Sequence, residues 1–254
     1  MLKRIFGNVR RVAEERWQAP AGERIYAIGD IHGRLDLLDQ LLALIEQDDL
    51  DRSPARTTLV FLGDLVDRGP DSRRVIERLM ELAEGERTTI FLAGNHEELL
   101  MSVWDGDRKL APLFHRAGGR ATLISYGVSP DEYDGLDFDQ LTEKVREFVP
   151  EAHIEFIRQF SNWYRKGDYL FVHAGIRPGM PLEEQDVVDL RWIRDDFHRS
   201  EQDHGVMVVH GHTIRSKVDE RPNRIGIDTG AYSSGILTAL AIEGNARWFV
   251  ATSQ

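Results

Sequence analysis

The sequence predicts an α/β fold built on a largely parallel sheet. Short, nearly continuous apolar runs recur through the first half of the chain, and amphipathic stretches at helical spacing lie between them. Strand–loop–helix alternation of this kind implies parallel pairing with crossover helices. Five loops that follow apolar runs also carry Asp, His or Asn beside glycine. In open α/β sheets ligands bind outside the carboxyl ends of the strands, where such loops would converge.

Taken in order, the strand runs are Ile25 to Ile28, Leu59 to Leu62, Thr89 to Leu92, Tyr169 to Val172 and Val206 to Val209. Their continuous apolar character marks strands covered on both faces. Helices are predicted over Leu35 to Glu46, with Leu35, Leu38, Leu41, Leu42 and Ile45 on one face, and over Ser72 to Glu84, with Val75, Ile76, Leu79 and Leu82. A third helix is expected from Glu97 to Val103. Three late runs, Arg224 to Ile227, Ile236 to Ile242 and Ala246 to Val250, have no helix between them and read as an antiparallel meander. Residues of about 98–165 read as a variable, mostly helical insertion over the site. Residues 1–22 read as a basic N-terminal extension or helix, and 23–254 as the single main domain. Leu2, Ile5, Phe6, Val9, Val12 and Ala13 recur at helical spacing, which fits a docked or frayed terminal helix better than a membrane-surface one.

Composition narrows the function classes. The chain has 254 residues, 41% of them hydrophobic, which is enough for a packed core. Its net charge of -11 speaks against a broad nucleic-acid or anionic-membrane surface. There is no run of ~18 apolar residues to span a bilayer, and the N-terminus lacks the apolar core of a secretory signal. With no cysteine, disulfides and thiolate metal sites are excluded, and any metal must be held by His, Asp, Glu or Asn. A cytoplasmic location and no stable membrane insertion are expected; the oligomeric state is left open.

The chemistry-bearing loops are Gly29-Asp30-Ile31-His32-Gly33, Gly63-Asp64-Leu65-Val66-Asp67-Arg68-Gly69, Gly94-Asn95-His96-Glu97, His173-Ala174-Gly175 and His210-Gly211-His212-Thr213. Asp30 and His32 stand two apart, so in extended backbone they share one side and can meet a single ion. The Asp64 carboxylate has two oxygens and can bridge two cations, which an imidazole cannot do. Asn95 offers a neutral oxygen, and Glu97 suits a structural place at a helix N-terminus. Each loop alone also has a bland reading: a capping Asp, an exposed Asp67–Arg68 turn pair, a packed histidine.

In order and spacing the five loops together resemble the phosphoprotein phosphatase branch of the calcineurin-like metallophosphoesterases, from about Arg24 to Ile242. The resemblance implies a four-layer sandwich of two mixed β-sheets flanked by helices. It implies one divalent cation held by Asp30, His32 and Asp64, and a second held by Asp64, Asn95, His173 and His212. Mn is the first choice of metal, with Fe, Zn or Ni as alternatives. It further implies a hydroxide bridging the two ions that attacks phosphorus in line, with His96 as the acid that protonates the leaving oxygen and Asp67 orienting it. Arg68 and Arg194 would bind the phosphoryl group, with Asn95 beside them. Tyr232 has two readings, a residue lining the site and core or loop packing, and packing is the preferred one. His115, His153, His198, His204 and His210 are left without a role.

Position 214 separates branches of the superfamily. Many phosphodiesterase members carry Gly-His-x-His, whereas Ile214 stands here after Gly211-His212-Thr213. The expected enzyme is therefore a dimetal phosphomonoesterase, a serine/threonine protein phosphatase acting on a phosphoprotein or small phosphorylated substrate, with no nucleic-acid partner. The alternative is a dinucleoside tetraphosphate hydrolase or broad phosphoesterase. Such hydrolases usually read Gly-Asp-Leu-Val-Ala-Arg-Gly and Gly-Asn-His-Asp, where this chain has Asp67 and Glu97.

Overall fold

The computed structural model describes residues 16–253. Residues 1–15, with most of the predicted terminal helix, lie outside them. Two five-stranded sheets face each other. The first contains β1 (Glu23–Ile28), β2 (Arg56–Phe61), β3 (Thr88–Phe91), β9 (Thr238–Glu243) and β10 (Ala246–Ala251), in the order β10-β9-β1-β2-β3. The second contains β4 (Trp163–Lys166), β5 (Tyr169–Val172), β6 (Met207–His210), β7 (Asp219–Glu220) and β8 (Arg224–Gly226), in the order β4-β5-β6-β8-β7. Each sheet is mixed. β1, β2 and β3 run parallel, as do β5, β6 and β8, while the other pairings are antiparallel.

The alternation of side chains along a strand explains the layers. Ile25 and Ala27 of β1 point between the sheets, with Val60, Phe171, Val209 and Ile225. Tyr26 and Ile28 point the other way, against helices α1 (Leu35–Leu50) and α2 (Ser72–Ala83). On the far side, Leu170, Val172 and Val208 pack against α9 (Val187–Trp192) and α10 (Asp195–His198). Both faces of the parallel strands are covered, which is why they read as unbroken apolar runs. Trp17 and Ala19 also sit in the inter-sheet core, inside the segment expected to be an extension.

The predicted late meander needs correcting. Only β9 and β10 form a hairpin; β8 belongs to the other sheet, parallel to β6. A short helix, α11 (Ala231–Ser234), carries the chain across. The apolar run of β8 shows burial but not which sheet buries it. Strands β4 and β7 were also invisible, the first half-exposed and the second only two residues long.

Helix α3 (Asn95–Trp104) begins immediately at the Gly94-Asn95 loop. The insertion follows as α4 (Ala111–Phe114), a π turn (His115–Gly119), α5 (Arg120–Ser125), α6 (Pro130–Asp134), α7 (Phe138–Phe148) and α8 (Glu151–Arg158). Its apolar face, including Phe114, Leu123, Leu141 and Val145, joins the core under α1 to α3. Its π turn reaches the functional loops: the Arg68 backbone N–H donates to the Gly118 carbonyl at 3.3 Å.

Candidate dimetal centre

Strand register brings the loops together. Ile28, Phe61 and Phe91 are aligned across β1, β2 and β3, so the chain leaves the first sheet toward Asp30, Asp64 and Asn95 at one end. In the second sheet His210 of β6 lies opposite Gly226 of β8, and His212 and Asp228 each stand two residues further on. Gly29 couples the sheets, since a Cβ there would come within 2.8 Å of the Ile227 carbonyl oxygen.

Asp30, His32, Asp64, Asn95, His173 and His212 are all buried at this junction. Their donor atoms form two groups that share Asp64: His32, Asp64 and His96 in one, Asp64, His173 and His212 in the other. Within each group the atoms lie within 4.8 Å of one another. Asp64 Oδ2 faces His32 Nε2 at 3.6 Å and His96 Nε2 at 3.7 Å, while Oδ1 faces His173 Nε2 at 3.3 Å. One carboxylate thus presents an oxygen to each group. Asn95 Oδ1 joins the second group, 3.1 Å from His173 Nε2. Asp30 stands just outside the first group, its carboxylate accepting the His212 backbone N–H at 2.9 Å.

Hydrogen bonds fix which ring nitrogens face the centre. His32 Nδ1 donates to the Val66 carbonyl, and His173 Nδ1 to the Leu62 carbonyl, both at 2.8 Å. Each leaves Nε2 pointing inward, as metal-binding imidazoles are held by their other nitrogen. Burial drives His32 down to about 3 and His212 down to about 2, so both are neutral and carry a free lone pair at ordinary pH. Burial also opposes ionisation of Asp64, but His173 and His96 outweigh it and hold its pKa well below the usual range. Asp30 is shifted the other way, raised by burial and then by the Asp228 and Asp64 carboxylates.

Backbone conformation marks the same place. His32, Asp64, Asp67, Arg68 and His212 have φ of 46°, 51°, 70°, 69° and 63°. Left-handed backbone costs a residue with a side chain roughly 1–3 kcal/mol and persists where the surroundings impose it. Glu97 supplies part of that constraint. Its carboxylate accepts the backbone N–H groups of Asp64 and Leu65 at 2.8 Å and of Gly94 at 2.9 Å, tying two loops to α3.

His96 sits on the first turn of α3 with Nδ1 2.7 Å from Asp67 Oδ2. Burial lowers its pKa, but Asp64 and Asp67 raise it by more, leaving it above the ordinary imidazole value. Arg68 Nη2 reaches His96 Nε2 at 3.0 Å, and its guanidinium lies 5.0 Å from the Tyr232 ring centroid. Tyr232, read from sequence as packing, is exposed at the rim with its ring edge to His32. Arg194 is exposed beyond α9, where its charge acts on His212. Its neighbour Arg191 is engaged with Glu98 and Asn162. His210 turns away into the outer core against Phe197.

Three residues of the site had no signal in the sequence. Thr122 Oγ1 donates to Asp67 Oδ1 at 2.6 Å and accepts the Asp67 backbone N–H at 2.9 Å, and Ser72 Oγ accepts the same N–H at 3.0 Å. Thr122 arrives from the insertion, 55 residues away. Asp228 is the third, a carboxylate buried at the end of β8.

The donor set fits two divalent cations. It is all nitrogen and oxygen, suited to first-row metals. His32 Nε2 and His212 Nε2 are buried with no hydrogen-bond partner among the described residues. Gly94 and Gly211 press against the Asp64 and Asp30 carboxylates, where a Cβ would collide with an oxygen. Cations here would supply a nucleophile at neutral pH and offset charge on a phosphoryl group. Around them stand Arg68, with its guanidinium on His96, the His96 ring held by Asp67, and the exposed Arg194. Replacing Asp67 with Asn is expected to lower the His96 pKa, since it removes an anion 2.7 Å away. The alkaline limb of the activity profile then moves to lower pH, which a pH–rate series on both proteins checks.

Fold and site define a phosphoric ester hydrolase. Residues 23–232 match the family model for calcineurin-like phosphoesterases, and the chain belongs to that family. A symmetrical bis(5'-nucleosyl)-tetraphosphatase of Acidovorax sp. (strain JS42) is 35% identical over 160 residues, 63% of this chain. The match spans 47% of that relative, about half its length. The asymmetrical bis(5'-nucleosyl)-tetraphosphatase PrpE of Anoxybacillus flavithermus is 26% identical over 235 residues, covering 84% of this chain and 88% of the relative. Among solved structures, a cold-active protein tyrosine phosphatase superposes with a TM-score of 0.56 at 17% identity, covering 98% of this chain and 87% of that one. At that identity the likeness speaks for the fold. No helix among the described residues is long and apolar enough to cross a membrane.

Proposed function

We propose that the chain hydrolyses nucleoside polyphosphates of the dinucleoside tetraphosphate class, with two divalent cations held by Asp30, His32, Asp64, Asn95, His173 and His212. The observation that carries the substrate class is the 235-residue alignment with the asymmetrical tetraphosphatase, which is long enough to take in the insertion walling the site. This reverses the order expected from sequence, where the protein phosphatase came first. Arg68 and Arg194 bind the phosphoryl oxygens of the cleaved phosphate. Tyr232, exposed beside Arg68, offers a ring face to a nucleobase.

One observation favours the protein phosphatase as a second reading. Asp64 and Asp67 raise the His96 pKa and Asp67 aims the ring, an arrangement that matters most when the leaving group is a serine or threonine alkoxide. A departing nucleotide leaves through a phosphate oxygen and needs that proton far less. Diadenosine tetraphosphate, a phosphoserine peptide and a phosphotyrosine peptide assayed side by side with Mn decide between them. The proposal predicts kcat/KM at least ~10-fold higher for the dinucleotide, a difference of about 1.4 kcal/mol in transition-state binding. A phosphoserine peptide ahead by that margin moves the assignment to the second reading. With either substrate, and with p-nitrophenyl phosphate, exhaustive chelation is expected to abolish turnover and Mn to restore it.

A further inference from the structure

We propose that Asp228 is a further carboxylate of the centre, which together with Asp30 holds the cation assigned to Asp30, His32 and Asp64. The inference rests on the two-cation reading of the site and adds a residue to it.

Asp228 has the placement of the other donors. It stands two residues past Gly226, as His212 stands two past the paired His210. The Asp228 carbonyl accepts the Arg215 N–H at 3.0 Å, and the preceding Ile227 donates to the His210 carbonyl at 2.9 Å. Ile227 also abuts Gly29 across the inter-sheet junction, so Asp30 and Asp228 leave the two facing sheets from one point of contact.

Its side chain is only half accounted for by local structure. Oδ1 accepts the Gly230 N–H at 2.9 Å and closes the turn before α11. Oδ2 is buried, in a residue 3% exposed, and has no hydrogen-bond partner among the described residues. A buried carboxylate oxygen left without a partner is costly. The remaining unpaired polar atoms of this junction, His32 Nε2 and His212 Nε2, are ones that a cation would satisfy. A cation beside Asp30 removes the conflict for Asp228 as well. It gives Oδ2 a positive neighbour, directly or through a hydrating water. The three-residue ligand set of that cation leaves room for such a partner.

The test is Mn binding by calorimetry, together with the melting temperature of the metal-free protein, for wild type and Asp228→Asn at pH 8. The amide keeps an oxygen for the Gly230 N–H and removes the charge. The expected result is a ~10–100-fold weaker affinity at one of two sites, the range seen when residues supporting metal ligands are lost. The metal-free variant should melt no lower than wild type, because the amide keeps the Gly230 contact and Oδ2 has no partner to lose. A purely structural Asp228 predicts the reverse, a lower melting temperature with both affinities unchanged, and that result overturns the proposal. Asp228→Ser, which also keeps an oxygen for Gly230, is the second variant if the amide does not fold. Wild-type protein that binds no Mn sinks the two-cation reading itself. Two ions bound equally well by wild type and variant sink only the role of Asp228.

Discussion

Replacing His96 with alanine is expected to lower kcat on a phosphoserine peptide by ~10²–10⁴-fold while the protein keeps its bound metal, the range typical of a lost general acid. The expectation follows from the position of the ring. Nδ1 is held by Asp67 at 2.7 Å, Nε2 faces the Asp64 side of the centre, and the two carboxylates raise the pKa against the effect of burial. On p-nitrophenyl phosphate the loss should shrink, because the phenolate departs without a proton. The same geometry admits a rival role. His96 Nε2 lies within one of the two candidate metal groups, its ring 4.6 Å from that of His32. A metal-ligating His96 predicts equal losses on all substrates and a fall in metal content. Kinetics on the two substrates, with metal analysis of the same samples, separate acid from ligand.

The second large effect is expected at Asp64. Its two oxygens face different groups, Oδ2 toward His32 and His96 and Oδ1 toward His173. Changing it to Asn keeps the size but removes the charge and leaves only one oxygen. Occupancy of both cation sites should therefore fall together, and activity with it to background, whereas a change at His32 or His212 should weaken one site more than the other. Metal content after gel filtration reads this directly. Full retention of two ions per chain by Asp64→Asn would show that the carboxylate is not shared. The protein itself should survive, because the amide keeps an oxygen for the His96 backbone N–H that Asp64 Oδ1 accepts at 3.1 Å.

Much of this site was legible because its signals are local. An apolar run followed by glycine and an Asp, His or Asn places a donor at a strand's carboxyl end, and parallel register does the rest. The choice between His210 and His212 illustrates the limit. Spacing alone allows either, and the strand's end decides, with His210 still in β6 and turned toward Phe197 while His212 joins His173. What was not legible is what arrives from a distance. Thr122 reaches Asp67 from 55 residues away, and no periodicity announces it. Asp228 closes a turn through Oδ1 and Gly230, and only the burial of Oδ2, which no local pattern shows, gives it a second aspect. The partition of the late strands between two sheets was hidden for a similar reason. An apolar strand records that it is covered, and β8 carries no mark of whether β6 or β9 covers it.

The proposed chemistry depends on a pair of cations sharing Asp64 where the two sheets meet. A crystal grown with Mn and measured at the Mn absorption edge tests it most directly. A shared Asp64 predicts two anomalous peaks ~3.5–4 Å apart, flanking its carboxylate, with His32 on one side and His173 and His212 on the other. A single peak, or peaks remote from Asp64, would contradict it.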